Sequence, residues 1–258
     1  MKTNLSITVL FVCLVLASTL SAFGAGTPPA TPTPANTNTP PPTNTPVPPT
    51  ATATITLTPT NTPTPTATPD IAATQKYEGL QATVEQLAAK GVIPSTNGTY
   101  YSLDDFSDSF AKSRYYTWTT YPDISVSNFV LQAKAKLTNA TNENVSKSGC
   151  GLAAKSLGFI EHAIFFSLDG NANYWSEGYS RGTNYLDNTL YTQNPDGLVL
   201  TLILSNKAML FYVNGREALS GITIYGEPFE VGPTILSGTS EGFGTRCEFS
   251  EVGLWEIK

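Results

Sequence analysis

After Lys2 the next charged residue in the chain is Asp70, and residues 27–69 are almost wholly Thr, Pro, Ala and Asn, with no aromatic ring among them. This stretch, TPPATPTPANTNTPPPTNTPVPPTATATITLTPTNTPTPTATP, is too poor in large apolar side chains to offset the entropy of ordering it, so no packed core is expected there. Its prolines fix φ and bias the backbone to polyproline II, which makes a semi-rigid spacer. At ~3.1 Å per residue the segment reaches on the order of 130 Å when fully extended. Thr beside Pro also suits O-glycosylation, which stiffens such a spacer further. A chain built this way holds its folded part at a distance from whatever its other end is attached to.

The residues before the spacer say what that end is. Lys2 is followed by an apolar run at 7–16 and by the small-residue stretch ASTLSAFGAG. A charged start, a short apolar core and small residues make a secretory signal peptide, with cleavage expected after about Gly24. The alternative is an uncleaved anchor, because the apolar character continues to Phe23 and a bilayer needs ~20 such residues. Cys13 lies inside the apolar run instead of closing it, which disfavours a lipid-bearing cysteine. On both readings the remainder is exported, secreted or attached at the cell surface. The expected organisation is a signal peptide at 1–24, a disordered Pro/Thr-rich linker at 25–69, an amphipathic helix at 70–91 and one β-sandwich domain at 92–258.

Removal of the leader leaves two cysteines, Cys150 and Cys247. An even pair in an oxidising compartment predicts a disulfide, the alternative being two buried thiols. No CxxC motif or Cys/His cluster points to a metal. The chain has 14 basic and 20 acidic residues, for a formal net charge of −6. That balance, without basic clusters, excludes nucleic acid, whose phosphates require Lys and Arg, and disfavours docking on anionic lipid. A membrane partner enters only through an uncleaved N-terminal anchor.

In DIAATQKYEGLQATVEQLAAKGVIP, Tyr77, Leu80, Val84 and Leu87 alternate three- and four-residue spacings, the stripe of a helix that packs on something. Asp70 is its candidate cap, Gly91 its end, and Pro94 prevents its resumption. The heptads are too few for a coiled coil. Strand patterns follow. NFVLQAKAKL sets Phe129, Leu131, Ala133, Ala135 and Leu137 on one face and Gln132, Lys134 and Lys136 on the other. Residues 198–204 read LVLTLIL, apolar on both faces, which predicts a central strand. Asn214-Gly215 between two strand-like runs predicts a tight hairpin, since a type I′ turn needs φ > 0 twice. CEFSEVGLWEIK closes the chain as a strand or strand pair. Many short strands separated by turns indicate an antiparallel sandwich.

The segments NFVLQAKAKL, GCGLAAK, LFYVNGREA and FSEVGLWEI resemble the concanavalin A-like lectin/glucanase sandwich, a jelly roll, nearest to its laminin G-like and 3-keto-disaccharide hydrolase-like branches. The resemblance covers roughly residues 100–258. It implies a mainly β fold and leaves activity open, because that architecture hosts lectins, hydrolases and adhesion modules alike.

Three segments approach catalytic patterns. The glucanase branch carries its carboxylates as E-x-D-x-E on one strand face; Glu248, Glu251 and Glu256 have neither the aspartate nor the spacing. GTSEG at 238–242 fits G-x-S-x-G, but that elbow needs a strand–turn–helix context and a later histidine, whereas His162 lies upstream. His162 itself sits in an alternating strand, where one histidine specifies nothing. No catalytic residue is assigned. A glycoside-processing hydrolase of the 3-keto-disaccharide type stays open as an alternative, as does a protein-binding adhesion module.

Asp104, Asp105 and Asp108 are oxygen donors suited to calcium, though without the spacing of a calcium loop; no other cofactor is expected. For binding, NANYWSEGYSRGTNYLDN combines aromatic rings with amides and charges, the mixture that grips a pyranose ring and its hydroxyls. The candidate ligand residues are Tyr174, Trp175, Glu177, Tyr179, Arg181 and Asn184. A second aromatic cluster, SRYYTWTTYP, supplies Tyr115, Tyr116, Trp118 and Tyr121, and sequence does not say whether the two meet. The expected activity is non-catalytic binding at the cell surface, to an extracellular glycan or a surface protein.

Overall fold

The alternation in residues 129–137 and the apolar run at 198–204 are both explained by two sheets packed face to face, with a helix on the outside of one. The computed structural model describes residues 71–141, 145–156 and 160–258; the expected leader, the Pro/Thr segment and the capping Asp70 lie outside them. Helix α1 (Ile71–Ala89) precedes β1 (Gly98–Ser102), β2 (Phe106–Phe110), β3 (Tyr115–Trp118), β4 (Ser125–Val126) and β5 (Phe129–Asn139). A 3₁₀ turn (Val145–Lys147) leads into β6 (Gly149–Ser156), β7 (Glu161–Ser167), β8 (Asn171–Ser176) and β9 (Tyr179–Tyr185). The short α2 (Leu190–Gln193) is followed by β10 (Leu198–Ser205), β11 (Ala208–Val213), β12 (Arg216–Thr223), β13 (Phe229–Ser237) and β14 (Thr245–Ile257).

These strands form two seven-stranded sheets. The back sheet runs β1-β14-β5-β10-β11-β12, with β2 also on β14; the front sheet runs β3-β13-β6-β7-β8-β9, with β4 also on β13. All pairings are antiparallel. The fold is therefore the expected mainly β, jelly-roll-like sandwich preceded by one helix. No described helix is long and apolar enough to cross a membrane.

The two inner faces interdigitate in one core. Phe129, Leu131, Ala133 and Ala135 of β5 meet Leu152 and Ala154 of β6, Ile164 and Phe166 of β7 and Phe229 of β13, all fully buried. Cys150 on β6 and Cys247 on β14 are disulfide-bonded across this core, joining front sheet to back sheet. β10 shows why its sequence is apolar on both sides. Leu198, Leu200, Leu202 and Leu204 point into the core, while Ile203 lies beneath α1 on the opposite face.

α1 docks on the outer face of the back sheet through Leu80, Val84 and Leu87, against Val130, Ile203, Tyr212, Trp255 and Ile257. Burying each of these aliphatic side chains contributes roughly 1.5–3 kcal/mol before entropy is counted. Tyr77, at the edge of the stripe, meets Tyr100 edge to face with ring centroids 5.1 Å apart. The helix ends in a Schellman arrangement. Gly91 takes φ +70°, Val92 N–H donates to Leu87 O at 2.9 Å and Gly91 N–H to Ala88 O at 2.9 Å.

Asn214 and Gly215 take φ of +49° and +73° in the expected β11–β12 hairpin. The C-terminal segment is one strand rather than a pair. β14 spans thirteen residues and keeps β5 as its neighbour on both sides of an irregularity between Ser250 and Gly253, where Glu251 has φ +54°. This bulge lets one strand serve β2 with its first half and β1 with its second.

Candidate binding site

With α1 covering the back sheet, the outer face of the front sheet is the broad surface left without a helix. Ala153, Ala163, Phe165, Trp175 and Leu236 alternate with core-facing neighbours and form a separate apolar cluster on this outer face. What covers them is aromatic. Tyr116 of β3 lies across the cluster, its ring 5.4 Å from that of Phe165 and 5.5 Å from that of Trp175. Tyr116 Oη donates to the Glu161 carboxylate and accepts from Gly178 N–H at 3.2 Å. Burial, and then the Glu161 hydrogen bond, pushes this phenol above its ordinary range. Trp118 packs beside it, with Lys155 Nζ 4.7 Å from the centre of its ring.

The Gly178 contact joins the two aromatic segments of the sequence. Glu177 and Gly178 have φ of +53° and +81° and form the tight turn between β8 and β9. Beside this turn, Tyr115 at the start of β3 and Arg114 just before it face Trp175, Glu177 and Tyr179 across an open depression of about 560 Å³, with Ser113 and Ser180 on its rim. Tyr115 is 55 % and Tyr179 69 % exposed, while Trp175 is only 7 % exposed. The indole Nε1 of Trp175 is buried and has no hydrogen-bond partner among the described residues. Glu177 and Arg181 are ion-paired at 3.5 Å.

Of the six candidate ligand residues, Trp175, Glu177 and Tyr179 line this depression, and Arg181 joins them through Glu177. Tyr174 and Asn184 do not. Tyr174 faces the sandwich interior, its Oη 2.9 Å from His162 Nδ1, and Asn184 Nδ2 donates to Ala218 O of the opposite sheet at 2.8 Å. Simple alternation along 174–179 is broken by the 177–178 turn and by a register shift between Tyr174 and Trp175. Tyr115 was visible as part of an aromatic cluster; Arg114 carried no sequence signal.

His162 is not on this surface. It is buried on the interior side of β7, stacked on Tyr174 at 6.2 Å and beside the core ring of Phe229 at 6.3 Å. Burial lowers its pKa to about 4, with Glu177 opposing the shift, so the imidazole is neutral at physiological pH. Its Nε2 has no partner among the described residues. GTSEG occupies the β13–β14 connection, with Ser240 Oγ accepting from Ser113 N–H at 3.1 Å, and a strand follows it. Glu256 accepts from Tyr101 Oη at 3.0 Å on the back sheet, where Glu251 faces Lys134 at 3.9 Å.

The three candidate calcium ligands are dispersed. Asp105 pairs with Lys76 of α1 at 3.1 Å, Asp108 accepts from Ser109 N–H at 2.7 Å, and Asp104 takes the Tyr121 hydroxyl on its backbone carbonyl at 2.6 Å. Among the described residues no three His, Cys, Asp or Glu side chains gather closely enough to hold a metal ion. A second groove, about 370 Å³, lies between α1 and the back sheet. Its polar floor is already paired, Gln132 Nε2 donating to Thr83 Oγ1 at 2.9 Å and Thr201 Oγ1 at 3.1 Å, and Tyr212 is its one aromatic ring.

No family model and no curated protein matches the sequence. Similar solved structures include the carbohydrate binding module CBM66 from Bacillus subtilis, at 9 % identity and TM-score 0.44, covering 62 % of this chain and 98 % of that one. A legume lectin-like domain from Entamoeba histolytica matches at 15 % identity and TM-score 0.41, covering 63 % and 91 %. A beta-fructofuranosidase from Aspergillus kawachii matches at 19 % identity and TM-score 0.41 over 61 % of this chain, which spans only 27 % of the enzyme's length. At these values the likeness assigns neither ligand nor reaction to this chain.

Proposed function

We propose that the protein is an exported, surface-displayed, non-catalytic module that binds carbohydrate in the depression between β3 and the β8–β9 turn. The observation that carries this reading is the pair of exposed tyrosines, Tyr115 and Tyr179, set with Arg114 and Glu177 around one open depression. Tyr115 and Tyr179 offer rigid apolar faces with polar tips, the combination suited to a pyranose. The oxidised Cys150–Cys247 pair supports an oxidising compartment, in keeping with the expected leader and spacer. A protein-binding adhesion surface is less favoured. Among the described residues the exposed large hydrophobics are scattered, mostly tyrosines, with Ile71 and Ile160 the only aliphatics.

The test is a glycan array probed with the purified protein and with Tyr115→Ala and Tyr179→Ala, both exposed positions at which truncation spares the core. Selective capture is expected, weakened about two- to tenfold by each variant, the size of one aromatic contact. Capture of no glycan by folded protein refutes the function; capture indifferent to both variants refutes the site.

A further inference from the structure

The protein is acidic overall, with 14 basic against 20 acidic residues, yet the depression is not. Arg114 lines it directly. Each aromatic ring of the lining also carries a cation: Lys112 Nζ sits 4.0 Å from the centre of the Tyr115 ring, Lys147 Nζ 5.8 Å from Trp175, and the Arg181 guanidinium 5.9 Å from Tyr179. The lining contributes one carboxylate, Glu177, and it is engaged by Arg181. Among the described residues Lys112, Arg114 and Lys147 have no carboxylate partner. Four of the fourteen basic residues thus converge on one small surface, and three of them have no carboxylate partner among the described residues.

Arg114 adds a second, independent sign. Its φ is +63°, the left-handed region that L-residues with long side chains adopt at a cost and that Gly or Asn would occupy freely. The backbone is held there by Arg114 N–H donating to Ser237 O at 2.8 Å. A guanidinium is therefore kept at the rim in a conformation its own residue type disfavours. Cations held over aromatic faces, beside serine hydroxyls, fit a sugar ring that carries negative charge. The ring's apolar side meets the tyrosines, and its anionic groups meet Lys112, Arg114 and Lys147. A neutral sugar would crowd water from the same cations and return no charge.

Resting on the reading of this depression as a glycan site, we propose that its ligand is an anionic saccharide, one bearing carboxylate or sulfate groups. The test measures binding of the full protein to matched pairs that differ only in charge: polygalacturonate against its fully methyl-esterified form, and dextran sulfate against dextran. At least one charged polymer should bind more than tenfold tighter than its neutral partner, with an affinity that falls steeply as salt is raised. The pair that responds distinguishes carboxylate from sulfate. Arg114→Gly, which suits the backbone, and Lys147→Gln should each weaken charged-polymer binding roughly three- to tenfold without lowering the melting temperature. Equal affinity for charged and neutral partners, charged-polymer binding unchanged in both variants, or capture of neutral glycans alone on the array overturns the anionic assignment and leaves the broader reading standing. Capture of no glycan of either kind overturns both.

Discussion

The Cys150–Cys247 bond is the covalent link between the two sheets, and its removal has a calculable consequence. The cysteines are 97 positions apart in sequence, both fully buried, on β6 of the front sheet and β14 of the back sheet. In the chain-entropy description a closed loop of that size restricts the unfolded ensemble by about 4.7 kcal/mol at 25 °C. Domains of this size have total stabilities of roughly 5–15 kcal/mol, so the bond is expected to supply a third or more of the margin. At ~2–4 °C per kcal/mol, Cys150→Ala/Cys247→Ala should melt roughly 10–20 °C below the wild type. The assay is calorimetry of both proteins, with peptide mapping under non-reducing conditions to establish the linkage. Because both sulfurs lie in the core, reductant should leave the folded protein's disulfide intact and attack it only once the domain unfolds. A double variant melting within ~2 °C of the wild type would refute the reasoning, since it would mean the sheets are held in register without the cross-link. Two free thiols in the native protein would refute its premise.

Two further outcomes follow from buried polar groups. His162 stays neutral in the folded state down to about pH 4, against an ordinary value of 6.5. Between those values the unfolded chain takes up the proton first, so stability should fall as pH drops from about 6.5 to 4 and then level off, by on the order of 2–3 kcal/mol. Urea unfolding across that range should show the slope as a difference between wild type and His162→Phe; identical pH profiles would sink the assignment. Tyr116→Phe keeps the ring contacts with Phe165 and Trp175 but leaves Gly178 N–H and Glu161 without their shared partner. It should cost about 1–3 kcal/mol in urea unfolding and also weaken glycan capture by loosening the 177–178 turn; no change in either measurement would show that Tyr116 does not position the turn.

The parts of this fold that were legible in sequence are those where a short pattern has one physical solution. Asn214-Gly215 admits φ > 0 twice and so makes a tight hairpin wherever strands flank it. The run at 198–204 must be buried on both faces, and it lies under α1 on one side and in the core on the other. The site was legible only in halves. Ser176-Glu177-Gly178-Tyr179 hides its turn because glutamate rarely takes positive φ, so alternation continued through it misplaces the side chains that follow. The register shift next to it turns Asn184 inward toward Ala218. Tyr116 finds Glu161 and Gly178 across distances of 45 and 62 residues, through pairings of β3 with β13 and β13 with β6 that no local pattern encodes.

The two sheets differ in what covers their outer faces. A two-sheet sandwich has two outer faces, and either could hold a ligand or a neighbour. Here the chain enters the domain through α1, whose apolar stripe is used up on the back sheet by Val130, Ile203 and Trp255. Lys76 and Asp105 add an ion pair of 3.1 Å that ties the start of the helix to the β1–β2 connection. The outer face of the back sheet is thus filled by protein. The front sheet, on the other side of the core, carries the depression, with Tyr115, Tyr179 and Arg114 exposed along it. α1 therefore acts as more than a cap for apolar strands: by filling the outer face of the back sheet it leaves the front sheet as the broad face open to a ligand, the face on which the proposed site lies.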